Sequence, residues 1–117
     1  MASQQLPRNG LPPVDVRLND VLVEPSPDGR RIRVHVTITP FLQPPNLEAS
    51  VHDAEGTEIA SASIIEPAHS KLVFTLHLRT TRFLGQYTLI TRLYYPDGDV
   101  DQRKTFFELG DTLKGEG

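Results

Sequence analysis

Asp97-Gly98-Asp99-Val100-Asp101 sets three carboxylates on alternate residues, and converging carboxylate oxygens are what a hard cation such as Ca²⁺ needs. The spacing departs from a calcium loop, which wants its glycine later and a closing glutamate, and Pro96-Asp97-Gly98 is fully explained as a hairpin turn. Strand alternation past Val100 sends Asp101 onto a sheet face, away from the loop. Nucleophilic catalysis requires a Ser on a sharp turn with a His base and a carboxylate in reach. No Gly-x-Ser-x-Gly occurs; Ser50, Ser61 and Ser63 fall in strand-like runs, and Ser70 follows His69 without a glycine-rich, oxyanion-forming neighbourhood. The eight glycines are scattered among turns and tails, so neither a Walker loop nor a dinucleotide fingerprint is present. These counts point to a chain without catalysis, metal or cofactor.

Two other constellations involve cations. His35 and His77 fall on outward positions of strands expected to be antiparallel neighbours, which would let them share a metal. Two imidazoles do not complete such a site, and with Arg and Thr beside them solvated histidines are expected. Arg17, Arg31, Arg33, Lys71 and Arg79 gather on the same face, where they could hold phosphate or an acidic partner. Long basic side chains also keep an exposed sheet soluble. The whole chain carries 12 Lys plus Arg against 15 Asp plus Glu, a net charge of -3. That balance, without an aromatic on the basic face, argues against nucleic acid.

The elements that must position these groups are strands. At 117 residues the chain has room for one core and one domain. Pro7, Gly10, Pro12 and Pro13 make residues 1–13 an extended lead-in. Val14, Val16 and Leu18 then alternate with polar residues, and Asn19-Asp20 is a place for a bulge before Val21-Leu22-Val23. After the turn at 25–29, Ile32, Val34, Val36 and Ile38 alternate cleanly with Arg31, Arg33, His35 and Thr37. Prolines 40, 44 and 45 make residues 39–46 a loop, since each lacks a ladder N–H. Leu47, Ala49 and Val51 start a strand that turns at 53–56 into a partner over 57–65. Leu72, Phe74, Leu76 and Leu78 face inward on the next strand, followed by Tyr87, Leu89, Thr91, Leu93 and Tyr95. The last strand spans roughly 100–109, its register open because Phe106 and Phe107 are adjacent. Residues 110–117 show no core pattern and are expected as a flexible tail around a domain of residues 14–109.

There is no cysteine, so packing alone must hold the fold. The first residues lack a signal-peptide pattern, and no apolar run approaches the ~18 residues of a membrane span. A cytoplasmic location is expected, or a secreted one if a leader has been removed, with no membrane partner.

Leu84-Gly85-Gln86-Tyr87-Thr88-Leu89, followed by the turn at Pro96, resembles the tyrosine corner and the last hairpin of immunoglobulin-like and fibronectin type III-like sandwiches. The resemblance implies an all-β, seven-stranded antiparallel two-sheet sandwich. Its first, second and fifth strands would form one sheet and the other four the second. The short turn at Gly56 lies closer to the fibronectin type III arrangement, while the missing cysteine pair and strand-borne Trp exclude an antibody-type signature. In that topology the loops at 39–46, before residue 71 and at 95–99 cluster at one end.

Phe41, Leu42, His69, Tyr95, Asp97 and Asp99 are therefore the candidate ligand-binding residues. An aromatic and a leucine on a proline-stiffened loop offer apolar area at low ordering cost, with carboxylates to orient a ligand; alternatively, Phe41 or Leu42 plugs the end of the core. Ile90, Arg92 and Tyr94 form an outward row that could support a weak homodimer. The expectation is a non-catalytic module recognising a protein or a small ligand. The alternatives are a structural or self-associating piece of a larger assembly and, after that, a small hydrolase or metal enzyme.

Overall fold

The computed structural model describes residues 10–79 and 85–109. A single 3₁₀ turn, Pro13–Asp15, precedes seven strands: β1 (Leu18–Pro25), β2 (Arg31–Ile38), β3 (Asn46–His52), β4 (Glu58–Ile64), β5 (Lys71–His77), β6 (Gly85–Tyr95) and β7 (Gly98–Leu109). They form two antiparallel sheets, β1-β2-β5 and β4-β3-β6-β7, the all-β sandwich and the division of strands expected from the sequence. No helix among the described residues is long and apolar enough to cross a membrane.

Period-two burial creates the core. Ile32, Val34, Val36 and Ile38 are essentially inaccessible on the inner face of β2, opposed by Leu47, Ala49 and Val51 of β3 and by Leu89 and Leu93 of β6. Each of the valine, leucine and isoleucine side chains stabilises the fold by about 1.5–3 kcal/mol relative to exposure. Thr91 shares the inner face of β6, and its hydroxyl donates to the Arg103 carbonyl at 3.3 Å, which removes the cost of an unpaired buried hydroxyl.

Bulges account for the places where alternation fails. Asn19 is the extra residue between Leu18↔Ile38 and Asp20↔Thr37, as its sequence context implied. Ile59 is extra between Val51↔Ala60 and His52↔Glu58, which lets the consecutive Ile59 and Ala60 both be buried. Val100 is extra between Leu93↔Asp101 and Tyr94↔Asp99, and it settles the register of β7. Phe107 thus turns inward to stack on Tyr87, ring centroids 5.8 Å apart, while Phe106 is 75% exposed. Tyr87 is buried, as expected; the stretch of 80–84 toward which a tyrosine corner would reach lies outside the described residues.

The first strand starts later than its alternation implied. The 3₁₀ turn at Pro13–Asp15 rotates the chain, leaving Val14 68% exposed, while Val16 just after it is fully buried. Asp101 and Arg103, inward on β7, clasp the start of β1: Asp101 Oδ2 accepts from the Leu18 N–H at 2.8 Å and Arg103 Nη2 donates to the Leu18 carbonyl at 3.0 Å. Side chains thereby join the edges of the two sheets where no backbone ladder does.

Candidate functional site at the loop end

The strand registers bring four segments to one end of the sandwich. Leu18 pairs with Ile38, Thr37 with Lys71, Leu47 with Ile64 and Asn46 with Tyr94. The segment before β1, the β2–β3 loop, the β4–β5 loop and the β6–β7 hairpin must therefore meet there. Part of the expected lead-in is built into this end: Leu11 bridges Phe41, its N–H donating to the Pro40 carbonyl at 2.9 Å and its carbonyl accepting from Leu42 at 3.0 Å. Gly10 makes that approach possible, since a Cβ there would lie 2.9 Å from both Leu42 Cδ2 and the Phe41 carbonyl carbon.

Between the 3₁₀ turn and the β6–β7 hairpin lies an open cleft of about 500 Å³, with Val14, Arg17, Gln43, Tyr95, Asp97 and Asp99 on its walls. Its polar groups are oriented by the fold. Arg17 Nη1 donates to the Val14 and Val16 carbonyls at 2.9 and 2.8 Å, so the guanidinium is laid along the turn. The Tyr95 hydroxyl donates to the Gln43 carbonyl at 2.7 Å and ties the β2–β3 loop to β6. Asp99 accepts from Arg92 Nη1 at 2.5 Å, and the same guanidinium grips Glu48 Oε1 through Nη2 at 2.6 Å and Nε at 3.1 Å while lying 4.3 Å from the Tyr94 ring centroid. Donating to Glu48 and then to Asp99 raises the guanidinium pKa further above its already high ordinary value. Asp97 makes no side-chain hydrogen bond among the described residues, and its exposed carboxylate stands at the hairpin tip.

Of the candidate residues, Tyr95, Asp97 and Asp99 are brought together on this cleft, whereas Phe41, Leu42 and His69 share its end of the sandwich without lining it. Phe41 is half-buried and packs against the core, Leu42 is 52% exposed, and His69 is exposed in the β4–β5 loop. Ile90, Arg92 and Tyr94 do share the outer face of β6, where Arg92 is already paired with two carboxylates. Alternation assigned Val14 and Arg17 to a strand, Arg17 with the basic sheet face, and so did not place either on this cleft, where both in fact lie.

The remaining constellations separate. His35 pairs with Val73 and His77 with Arg31, so these imidazoles are not cross-strand neighbours and the shared-metal geometry does not form. The carboxylates of 97–101 diverge, Asp99 to Arg92 and Asp101 to Leu18, and no group of three potential ligands converges among the described residues. One pair went unnoticed: Ser50 Oγ lies 3.1 Å from His52 Nε2, while Nδ1 faces the Gly56 carbonyl at 3.4 Å. Residues i and i+2 of one strand share a face, the signal that could have found it. Its third partner is a main-chain carbonyl, where a catalytic triad has a carboxylate.

Burial pushes the Tyr95 phenol pKa above its ordinary value of 10.0. For an acid that titrates higher when folded, the stabilisation is complete below the unfolded pKa and is lost as pH rises through the folded one. Ultraviolet titration of the native protein minus a Tyr95→Phe variant should show a phenolate component with a midpoint above 10.0 that returns to its ordinary position in urea. A native midpoint at or below 10.0 contradicts the burial of this group.

No protein-family model and no curated protein matches the chain. Solved structures do. The fold is similar to part of the β-glucuronidase of Bifidobacterium dentium, with a TM-score of 0.64 at 20% identity, covering 81% of this chain and 17% of that one. A glycosyl hydrolase family 2 member from Bacteroides cellulosilyticus gives a TM-score of 0.63 at 13% identity over 80% of this chain and 14% of its own. For the Ruminococcus gnavus β-glucuronidase the values are 0.59 and 16%, over 81% and 16%. At such identities the likeness is one of fold. The chain matches about a sixth of the length of these proteins.

Proposed function

We propose that this chain is a non-catalytic accessory β-sandwich module that recognises a protein or ligand through its loop end. The observation that supports this reading most is the cleft between the 3₁₀ turn and the β6–β7 hairpin. It sets the Arg17 cation and the unpaired Asp97 carboxylate around an apolar wall at Val14, in a volume of about 500 Å³, within the usual span of ligand sites at roughly 300–1,000 Å³. Opposite charges on two sides of one cleft suit a polar ligand with both donors and acceptors, such as a sugar or an extended peptide segment. Likeness to about a sixth of larger glycosidases supports the accessory role, and it equally favours a second reading in which the module is a structural piece of a larger assembly. Self-association through Ile90, Arg92 and Tyr94 would have to use a cation that Glu48 and Asp99 already neutralise.

Glycan and peptide arrays probed with the labelled full chain test the proposal. Val14→Trp, which fills the cleft from an exposed position, and Asp97→Ala should leave the melting temperature within a few degrees, since exposed substitutions cost about 0.5 kcal/mol or less. Both should weaken every array signal about tenfold or more. Array binding indifferent to both substitutions would remove the cleft as the recognition site; silence on all arrays would favour the purely structural reading.

A further inference from the structure

The outer face of the β1-β2-β5 sheet holds a second concavity, remote from the loop end. Where β1 runs into the β1–β2 turn, the prolines of that corner wall an open groove of about 820 Å³ against β2 and β5, with Glu24, Arg31, Arg33, Thr75 and His77 along it. The register fixes how these groups meet. Arg31 lies directly opposite His77, and Arg33 sits between Glu24 on one side and Thr75 on the other. As residues i and i+2 of β2, the two arginines point the same way, about 6–7 Å apart at their backbones.

Neither guanidinium makes a side-chain hydrogen bond or ion pair among the described residues. The carboxylates that could have neutralised them are occupied. Glu24, the one carboxylate lining the groove among the described residues, is drawn along the sheet to His35, with Oε1 2.8 Å from Nε2. Asp28 in the adjoining turn is held by the Ser26 hydroxyl at 2.6 Å and the Arg30 N–H at 3.0 Å. The chain as a whole is acidic, at -3, and the charge of Asp28 is felt at Arg31, yet the two guanidinium groups stand side by side in a hollow with no carboxylate bonded to either among the described residues. Planar guanidinium forks match tetrahedral oxyanions bidentately, and the Thr75 hydroxyl and His77 imidazole add donors from the facing strand.

We propose that this groove is a binding site for a tetrahedral oxyanion, a phosphate or sulfate group, held between Arg31 and Arg33 and contacted from β5 by Thr75 and His77. The groove is larger than the bare ion, which leaves room for a sugar or similar carrier against the proline wall. The site is independent of the loop-end cleft, so either can fail without the other.

Amide and arginine Nε–H shifts should be followed at low ionic strength during titration of the full chain with inorganic phosphate, glucose 6-phosphate, glucose 6-sulfate and, as a control, glucose. Saturable shifts at Arg31, Arg33, Thr75 and His77 are expected with the three anions and not with glucose. Tighter binding of the esters would support a carried group; equal binding would support a site for the ion alone. Arg31→Ala and Arg33→Ala should each weaken binding about tenfold. Lys71→Ala, on the same sheet but outside the groove, should change it less than twofold, and Glu24→Gln should strengthen it about threefold by removing the competing charge. Because these side chains are exposed, none of the variants should unfold the protein. Absence of saturable shifts, or an equal loss in Lys71→Ala and Arg33→Ala, would overturn the site and leave only a diffusely basic surface.

Discussion

Tyr87→Ala is expected to lower the unfolding free energy by about 3–5 kcal/mol, the range for removing a buried aromatic side chain. Tyr87 is 3% exposed on the inner face of β6, where its ring stacks on Phe107 with an interplanar angle of 23°. Its loss opens a cavity between β6 and β7 and strips Phe107 of the surface it packs against, so transfer, cavity and aromatic-pair contributions all act in one direction. Against a total stability of roughly 5–15 kcal/mol for a domain of this size, that is a large fraction of the whole. Urea denaturation provides the measurement. Phe106→Ala is the internal control: the neighbouring phenylalanine is 75% exposed and should cost about 0.5 kcal/mol or less. Equal effects at the two positions would mean that the β7 register set by the Val100 bulge is wrong.

Asp101→Ala is the second large effect, at about 1–3 kcal/mol. The carboxylate accepts from the Leu18 N–H at 2.8 Å and, through its other oxygen, from the Gln102 N–H at 2.9 Å. Leu18 is 3% exposed, so alanine leaves a donor that water reaches poorly, and an unmet buried donor costs more than an average hydrogen bond contributes. Asp101→Asn keeps an acceptor oxygen in place and should recover most of the loss. Paired urea titrations of the two variants decide the matter. If asparagine proved as damaging as alanine, the negative charge beside Arg103, and not the bond to Leu18, would be what matters.

Much of this fold was legible from alternation alone, because a strand with one face in a core must switch polarity at every residue. Ile32 to Ile38 show that pattern without interruption, and Tyr87 to Tyr95 show it apart from Thr91 on the inner face and Ile90 and Tyr94 on the outer. Asn19 could be read as a bulge because a polar pair interrupts an apolar series. Ile59 and Val100 could not: neither carries a glycine or a polar break, and a bulge that inserts an ordinary apolar residue looks the same as an unbroken strand. The Phe106 and Phe107 ambiguity followed directly, since one extra residue at Val100 exchanges the faces of everything beyond it.

The candidate site divides along the same line. That the 39–46 and 95–99 loops share an end follows from strand order, which the sequence implied. What lies between them depends on the segment before β1, where Pro13–Asp15 forms a 3₁₀ turn in place of continued strand. Val14 and Arg17 were thereby moved onto the cleft. Phe41, the residue most suggestive of an exposed anchor, was drawn against the core by its bridge to Leu11. In the groove on the opposite part of the molecule, sequence showed that the arginines share a face. That Glu24 reaches past Arg33 to His35 depends on side-chain placement that strand alternation does not determine.

The proposal of loop-end recognition meets its most direct test in an amide-shift map of the full chain titrated with candidate glycans, peptides and Ca²⁺. For at least one organic ligand, saturable shifts should fall at 13–17, 43 and 95–100, with residues 53–57 at the far end unmoved and with no saturable response to Ca²⁺. Shifts that saturate elsewhere while this end stays silent would contradict the assignment.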